Sequence, residues 1–239
     1  VFTTEVEQQV GNAGFEEWSE WEVDAYSFIS TTKQKTYGPW KDESSKWWDT
    51  NNSETTSKSS TPGYLTFKCF PMVSYTQGRS GEGSKAAQIM AINVAGGNTN
   101  LISYGNAVPG RLFIGTYGGA SGHQFGVRPS KMKFYYNYVP RGTDTFRCTI
   151  VIKNGDTEIG KGIFELTTDL SISNWPEAVV EIEYSNKELV ATSVSVEFLQ
   201  STNAEPPFTK DVSITYPAGN VNVHGGSILT VDDIELIYE

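Results

Sequence analysis

Four stretches of this chain alternate apolar and polar residues with a period of two. Met132, Phe134, Tyr136 and Tyr138 interleave with Lys131, Lys133, Tyr135 and Asn137. Phe146, Cys148, Ile150 and Ile152 make a second set. Val180, Ile182 and Tyr184 alternate with Glu181 and Glu183, and Val194, Val196 and Phe198 with Ser195 and Glu197. A strand sends successive side chains to opposite faces, so each segment reads as a half-buried strand with one face turned inward. Further strands are predicted over residues 1–10, 65–69, 86–92, 110–117 and 227–238, and an aromatic-anchored strand follows the turn at 12–18. No helix longer than a turn or two is predicted, the best short candidate surrounding Trp175-Pro176-Glu177. There is no internal repeat and no linker. The expectation is one domain over residues 1–239, an all-β, single jelly-roll β-sandwich.

Composition agrees with that class. The chain has 12 Tyr, 12 Phe and 6 Trp, which favour strands, and 23 Gly, which punctuate turns. It carries 28 Asp and Glu against 18 Lys and Arg, a formal charge of −10. That balance argues against nucleic acid and anionic membrane as partners, because both attract basic patches. Two cysteines, Cys69 and Cys148, make neither a disulfide framework nor a zinc site. Each shares parity with apolar neighbours, so two buried thiols and one cross-strand disulfide both stay open. No stretch is long and apolar enough to span a bilayer. Val1 is not an initiator Met, so an upstream segment is expected to have been removed.

The chemistry gathers at residues 47–52, Trp-Trp-Asp-Thr-Asn-Asn. Of two adjacent indoles in a β-protein, one enters the core and one faces outward. An exposed indole edged by Asp, Thr and Asn suits a sugar, which stacks its C–H face on the ring while its hydroxyls meet polar partners. Two core tryptophans at a turn remain the plainer alternative. Trp47 or Trp48 is therefore the expected platform, with Trp40, after the Gly38-Pro39 turn, as a reserve. The polar run 49–63 reads as a long exposed loop over that surface.

Asn51, Arg79 and His123 are the expected hydrogen-bonding partners. The Gly-rich loop 78–84 lacks the Lys-Ser/Thr ending of a phosphate loop. Arg111 and Arg128 fit either sugar contacts or loop bracing, with bracing favoured for Arg128. His123 and His224 both read as residues of surface turns. A glycosidase needs two carboxyl groups flanking a sugar bond, and Asp49 and Glu82 are the acids nearest the suspected surface. Two histidines exclude a three-His metal site, and no Gly-x-Ser-x-Gly elbow occurs.

The ends of the chain add a resemblance. Residues 12–16, Asn-Ala-Gly-Phe-Glu, and 226–236, Gly-Ser-Ile-Leu-Thr-Val-Asp-Asp-Ile-Glu-Leu, are similar to the opening and closing signatures of galactose-binding-like jelly rolls, including many carbohydrate-binding modules. With residues 47–52, 83–87, 111–115, 125–129 and 135–138 between them, the set resembles the carbohydrate-metabolism domain of cell-surface and periplasmic proteins of Bacteroides-type gut bacteria. The resemblance covers residues 12–238. It implies a jelly roll, a carbohydrate partner, and a place outside the cytoplasm, in the periplasm or on the outer-membrane surface, with a lipoprotein as one form. Members often carry a further N-terminal β-domain, so this chain would be a fragment. It also implies a structural Ca²⁺ between Glu16 and Asp232, with carbonyls of the 12–14 turn. The expected function is a monomeric carbohydrate-binding module of a glycan-utilisation protein. A glycoside hydrolase and a surface adhesion or structural domain are the alternatives.

Overall fold

The structure, a computed structural model, describes residues 6–26, 31–56, 70–93 and 107–238. Part of the first predicted strand, the predicted strand 65–69 with Cys69, and residues 57–63 of the polar run lie outside the described residues. Sixteen strands are present among those described. They are β1 (Ser19–Tyr26), β2 (Thr31–Gly38), β3 (Trp48–Thr50), β4 (Val73–Gln77), β5 (Lys85–Asn93), β6 (Ala107–Val108), β7 (Arg111–Ile114) and β8 (His123–Gln124). Then come β9 (Lys131–Val139), β10 (Asp144–Asn154), β11 (Thr157–Thr168), β12 (Glu177–Glu181), β13 (Glu183–Tyr184), β14 (Ser193–Leu199), β15 (Thr209–Tyr216) and β16 (Gly219–Ile237).

Two antiparallel sheets form a jelly-roll β-sandwich. One runs β13-β11-β10-β14-β7-β3, with β8 on β14; the other runs β12-β9-β16-β5-β4, with β15 on β16 and β6 on β5. The chain crosses repeatedly between them, and β1 and β2 form a separate hairpin. Period-two patterning sets the inner faces. Phe146, Cys148, Ile150 and Ile152 of β10 are buried, as are Val194, Val196 and Phe198 of β14 and Met132, Phe134 and Tyr138 of β9. Phe134 meets Phe198 edge-on at 5.0 Å, and Tyr138 meets Phe146 at 5.0 Å, so an aromatic seam joins the sheets. Burial pushes the Cys148 thiol well up.

Two expectations are corrected, and one strand is added. No helix forms at Trp175: Asn174 and Trp175 have positive φ, and β12 starts at Glu177. The only helical pieces among the described residues are a 3₁₀ turn (Glu43–Ser45) and one turn, α1 (Ser53–Thr56). The polar run does not begin as an exposed loop. Residues 48–50 are a strand, and Asn51, Asn52, Thr55 and Thr56 are buried. The 12-residue strand β11 escaped the period-two reading because Gly160 and Gly162 blank its pattern. A Cβ at Gly160 would lie 2.6 Å from the Tyr184 ring, and one at Gly162 2.6 Å from Glu181 O, so close packing requires glycine there.

Candidate functional site

Residues 47–52 are mostly turned into the molecule. Trp48 is fully buried against Phe15, 5.2 Å between ring centroids, and donates its indole N–H to Gly11 O at 2.8 Å. Trp47 points the other way, as parity requires, but its ring stacks on His123 at 3.8 Å and 16°, and Gly11 presses its pyrrole edge. Asn51 donates to Pro109 O at 3.0 Å and accepts from Arg111 N at 2.8 Å. Asn52 stitches β2 to β4, donating to Tyr37 O and Val73 O and accepting from Val73 N. These amides satisfy backbone groups that the sheet edge would otherwise leave unpaired.

The other expected residues scatter. Arg79 places its Nε and one terminal nitrogen on Asp233 at 2.9 and 2.6 Å and lies 3.9 Å over the Tyr135 ring. Arg128 braces the loop at Lys187 by donating to its carbonyl. His224 is not in a surface turn but buried within β16. Glu82 stands exposed on the β4–β5 connection.

Asp49 is committed to three donors: Thr50 N at 2.8 Å, Tyr117 N at 2.8 Å and Lys46 Nζ at 2.9 Å. It lines a cleft from which Glu82 is absent. The opening turn meets the closing strand through Ile234 N and Ala13 O at 3.0 Å. There Asp232, 2% exposed, accepts from Arg79 N and Asp233 N, each at 2.8 Å, and Glu16 accepts from Lys85 N at 3.1 Å. Burial, with added repulsion from Asp233 and Glu16, pushes Asp232 up to about 6. Among the described residues no three His, Cys, Asp or Glu side chains cluster closely enough to hold an ion.

The open surface lies beside Asp49. A cleft of about 390 Å³ is lined by Trp21, Trp40, Lys46, Asp49, Asn52 and Tyr117, among others. Trp40 does not swing outward at Gly38-Pro39. Its ring folds back over Gly38, where a Cβ would come within 2.3 Å, and is 7% exposed. Lys46 Nζ sits 4.0 Å above it, and Trp21 packs 5.8 Å away. Trp21 and Tyr117 are the exposed rings, at 42% and 40%.

Each is held by its element. Trp21 pairs with Thr36 across the β1–β2 hairpin. Tyr117 follows Thr116 in a turn closed by Gly119 N and Thr116 O at 2.9 Å, with Gly118 at φ +70°, where a β-turn calls for glycine. Its hydroxyl donates to Glu54 at 2.8 Å, and that bond raises its pKa. Both rings were missed in the sequence. The usable signals were a Trp on a hairpin flanked by Glu20 and Glu22, and a Tyr set in a Gly-rich turn.

No family model matches the chain, and no curated protein matches it. Among solved structures it is similar to TmCBM61 in complex with β-1,4-galactotriose, at 8% identity over 95% of this chain and 96% of that one, TM-score 0.33. It is similar to the family 11 carbohydrate-binding module of a Clostridium thermocellum cellulosomal cellulase, at 12% identity over 82% and 91%, TM-score 0.32. It is also similar to a cyclase from Fischerella sp. TAU, at 12% identity over 98% and 99%, TM-score 0.40. Likeness of this degree, shared by sugar binders and an enzyme, carries no functional inference.

Proposed function

We propose that this chain is a carbohydrate-binding domain that takes its ligand in the cleft between Trp21 and Tyr117. The observation that carries the reading is the pair of rings, 42% and 40% exposed, at the mouth of a cleft with a third ring, Trp40, and fixed polar groups inside. Exposed rings held rigidly give a sugar's C–H face a plate at little entropic cost, and the Lys46–Asp49 pair, with Ser53, supplies polar edges. The resemblance of the chain ends supports work outside the cytoplasm, within a glycan-utilisation protein. A glycan-array screen followed by calorimetric titration tests the reading. Trp21→Ala and Tyr117→Ala should abolish binding while Trp47→Ala does not. Loss with Trp47→Ala alone would move the site to the Trp47–His123 stack.

A structural Ca²⁺ at the terminal junction belongs to the same proposal. Its donors would be the Glu16 and Asp232 carboxylates with neighbouring backbone carbonyls, an all-oxygen set of the kind Ca²⁺ takes. The raised Asp232 supports it: burial is the main cause, repulsion from Asp233 and Glu16 adds to it, and a cation would offset both. EDTA should lower the melting temperature and Ca²⁺ restore it. An unchanged melt with no metal by elemental analysis would remove the ion.

A further inference from the structure

A second cleft, of about 290 Å³, lies on the outer face of the β10-β14-β7 sheet and shares Tyr117 with the first. Its floor includes Phe113, Thr149, Ser195 and Glu197. Strand register joins the two. Thr149 pairs with Glu197, Glu197 with Phe113, and Phe113 with Asp49, so one outward row crosses four strands from the second cleft to the first. Three interstrand steps span about 14 Å, more than one pyranose ring covers. Phe113 is half-buried, with its ring 6.5 Å from Tyr117, so a further aromatic plate lies along the row.

The charge along this path is acidic. Lys46 is tied to Asp49 at 2.9 Å, and Arg111 to Glu197 at 2.6 Å. Glu43 and Glu54 stand beside them, Glu54 on the Tyr117 hydroxyl. An anionic polymer entering here would meet carboxylates with both cations already paired.

We infer that the two clefts are subsites of one groove, and that the ligand is an uncharged glycan chain of several sugars lying across Tyr117. This rests on the sugar-binding reading of the first cleft and adds the length and charge of the ligand. A chain spanning both subsites gains contact after its first units have already met the cost of association, so affinity should grow with length until the groove is filled.

The test is calorimetric titration of the intact chain with neutral gluco-, manno- and galacto-oligosaccharides, from monosaccharide to hexasaccharide, and with oligogalacturonides of matching length. Hexasaccharide should bind at least about tenfold tighter than monosaccharide. Phe113→Ala should erase that gain while leaving short-ligand binding intact. Ser195→Trp, which fills the second cleft without removing a core group, should do the same if Phe113→Ala does not fold. Equal affinity at all lengths, or a length gain untouched by Ser195→Trp, overturns the two-subsite groove and leaves the first cleft standing. Preference for oligogalacturonides overturns the uncharged ligand. A length gain that survives Trp21→Ala and Tyr117→Ala overturns the first-cleft reading instead, and no binding to any probe removes both.

Discussion

Residues 47–52 and the mouth of the Trp21–Tyr117 cleft carry similar chemistry, aromatic rings beside short polar side chains, yet the fold uses them oppositely. In the first region nearly every group has an internal partner: Trp48 with Gly11, Asn51 with Pro109 and Arg111, Asn52 with Tyr37 and Val73. In the second, the polar groups brace one another and leave two rings in solvent. A buried polar group must find a partner at once or cost stability, whereas an exposed ring keeps its face for a ligand. Asp49 and Asn52 belong to both regions, so what sets the proposed site apart is the pair of rings, Trp21 and Tyr117, whose faces stay in solvent.

The sharpest break of the comparison is Trp48→Ala. It removes a fully buried indole packed against Phe15 and Phe198 and should cost about 3–5 kcal/mol in chemical denaturation. A loss under about 1 kcal/mol would mean that this ring is not the core anchor it looks to be. Asn52→Ala comes next. It strands a backbone donor and two carbonyls in β2 and β4, and leaving such groups unpaired should cost about 3 kcal/mol.

Asp232 sharpens the contrast at the terminal junction. Its carboxyl is pushed from 3.8 up to about 6, so the folded state holds the proton more tightly than the unfolded chain. The resulting stability is complete below about pH 4 and lost as pH rises through about 6, a swing of at most about 2–3 kcal/mol. In EDTA, the wild-type protein should gain stability between about pH 7.5 and pH 5 relative to Asp232→Asn. Parallel pH profiles for the two would show that this carboxyl does not titrate in that window. The smallest stability change belongs to the site itself. Trp21→Ala should shift stability by no more than about 0.5 kcal/mol while glycan binding disappears. A large destabilisation would place Trp21 with the scaffold.

Much of the fold was legible because a period-two pattern needs only neighbours in sequence. Phe134, Cys148 and Val196 were assignable to inner faces from adjacent residues alone. β11 was not legible, because Gly160 and Gly162 answer to Tyr184 and Glu181, which reach them only through sheet pairing and packing. The 49–56 segment misled for a related reason. Polar composition looks like solvent exposure unless the buried backbone groups that the side chains serve are known.

The sequence by itself determined an all-β chain, the faces of its longest strands, and that Trp47 and Trp48 would point to opposite faces; which of the two enters the core was left to the fold. These follow from local sterics and the alternation of Cβ directions. Tertiary structure alone decided that His123 would cover Trp47, that Trp40 would fold over Gly38, and that Trp21, Asp49 and Tyr117 would enclose one cleft. Those residues come from a hairpin, an edge strand and a glycine turn far apart in the chain. Their meeting depends on strand order and register between distant segments, which no local pattern encodes.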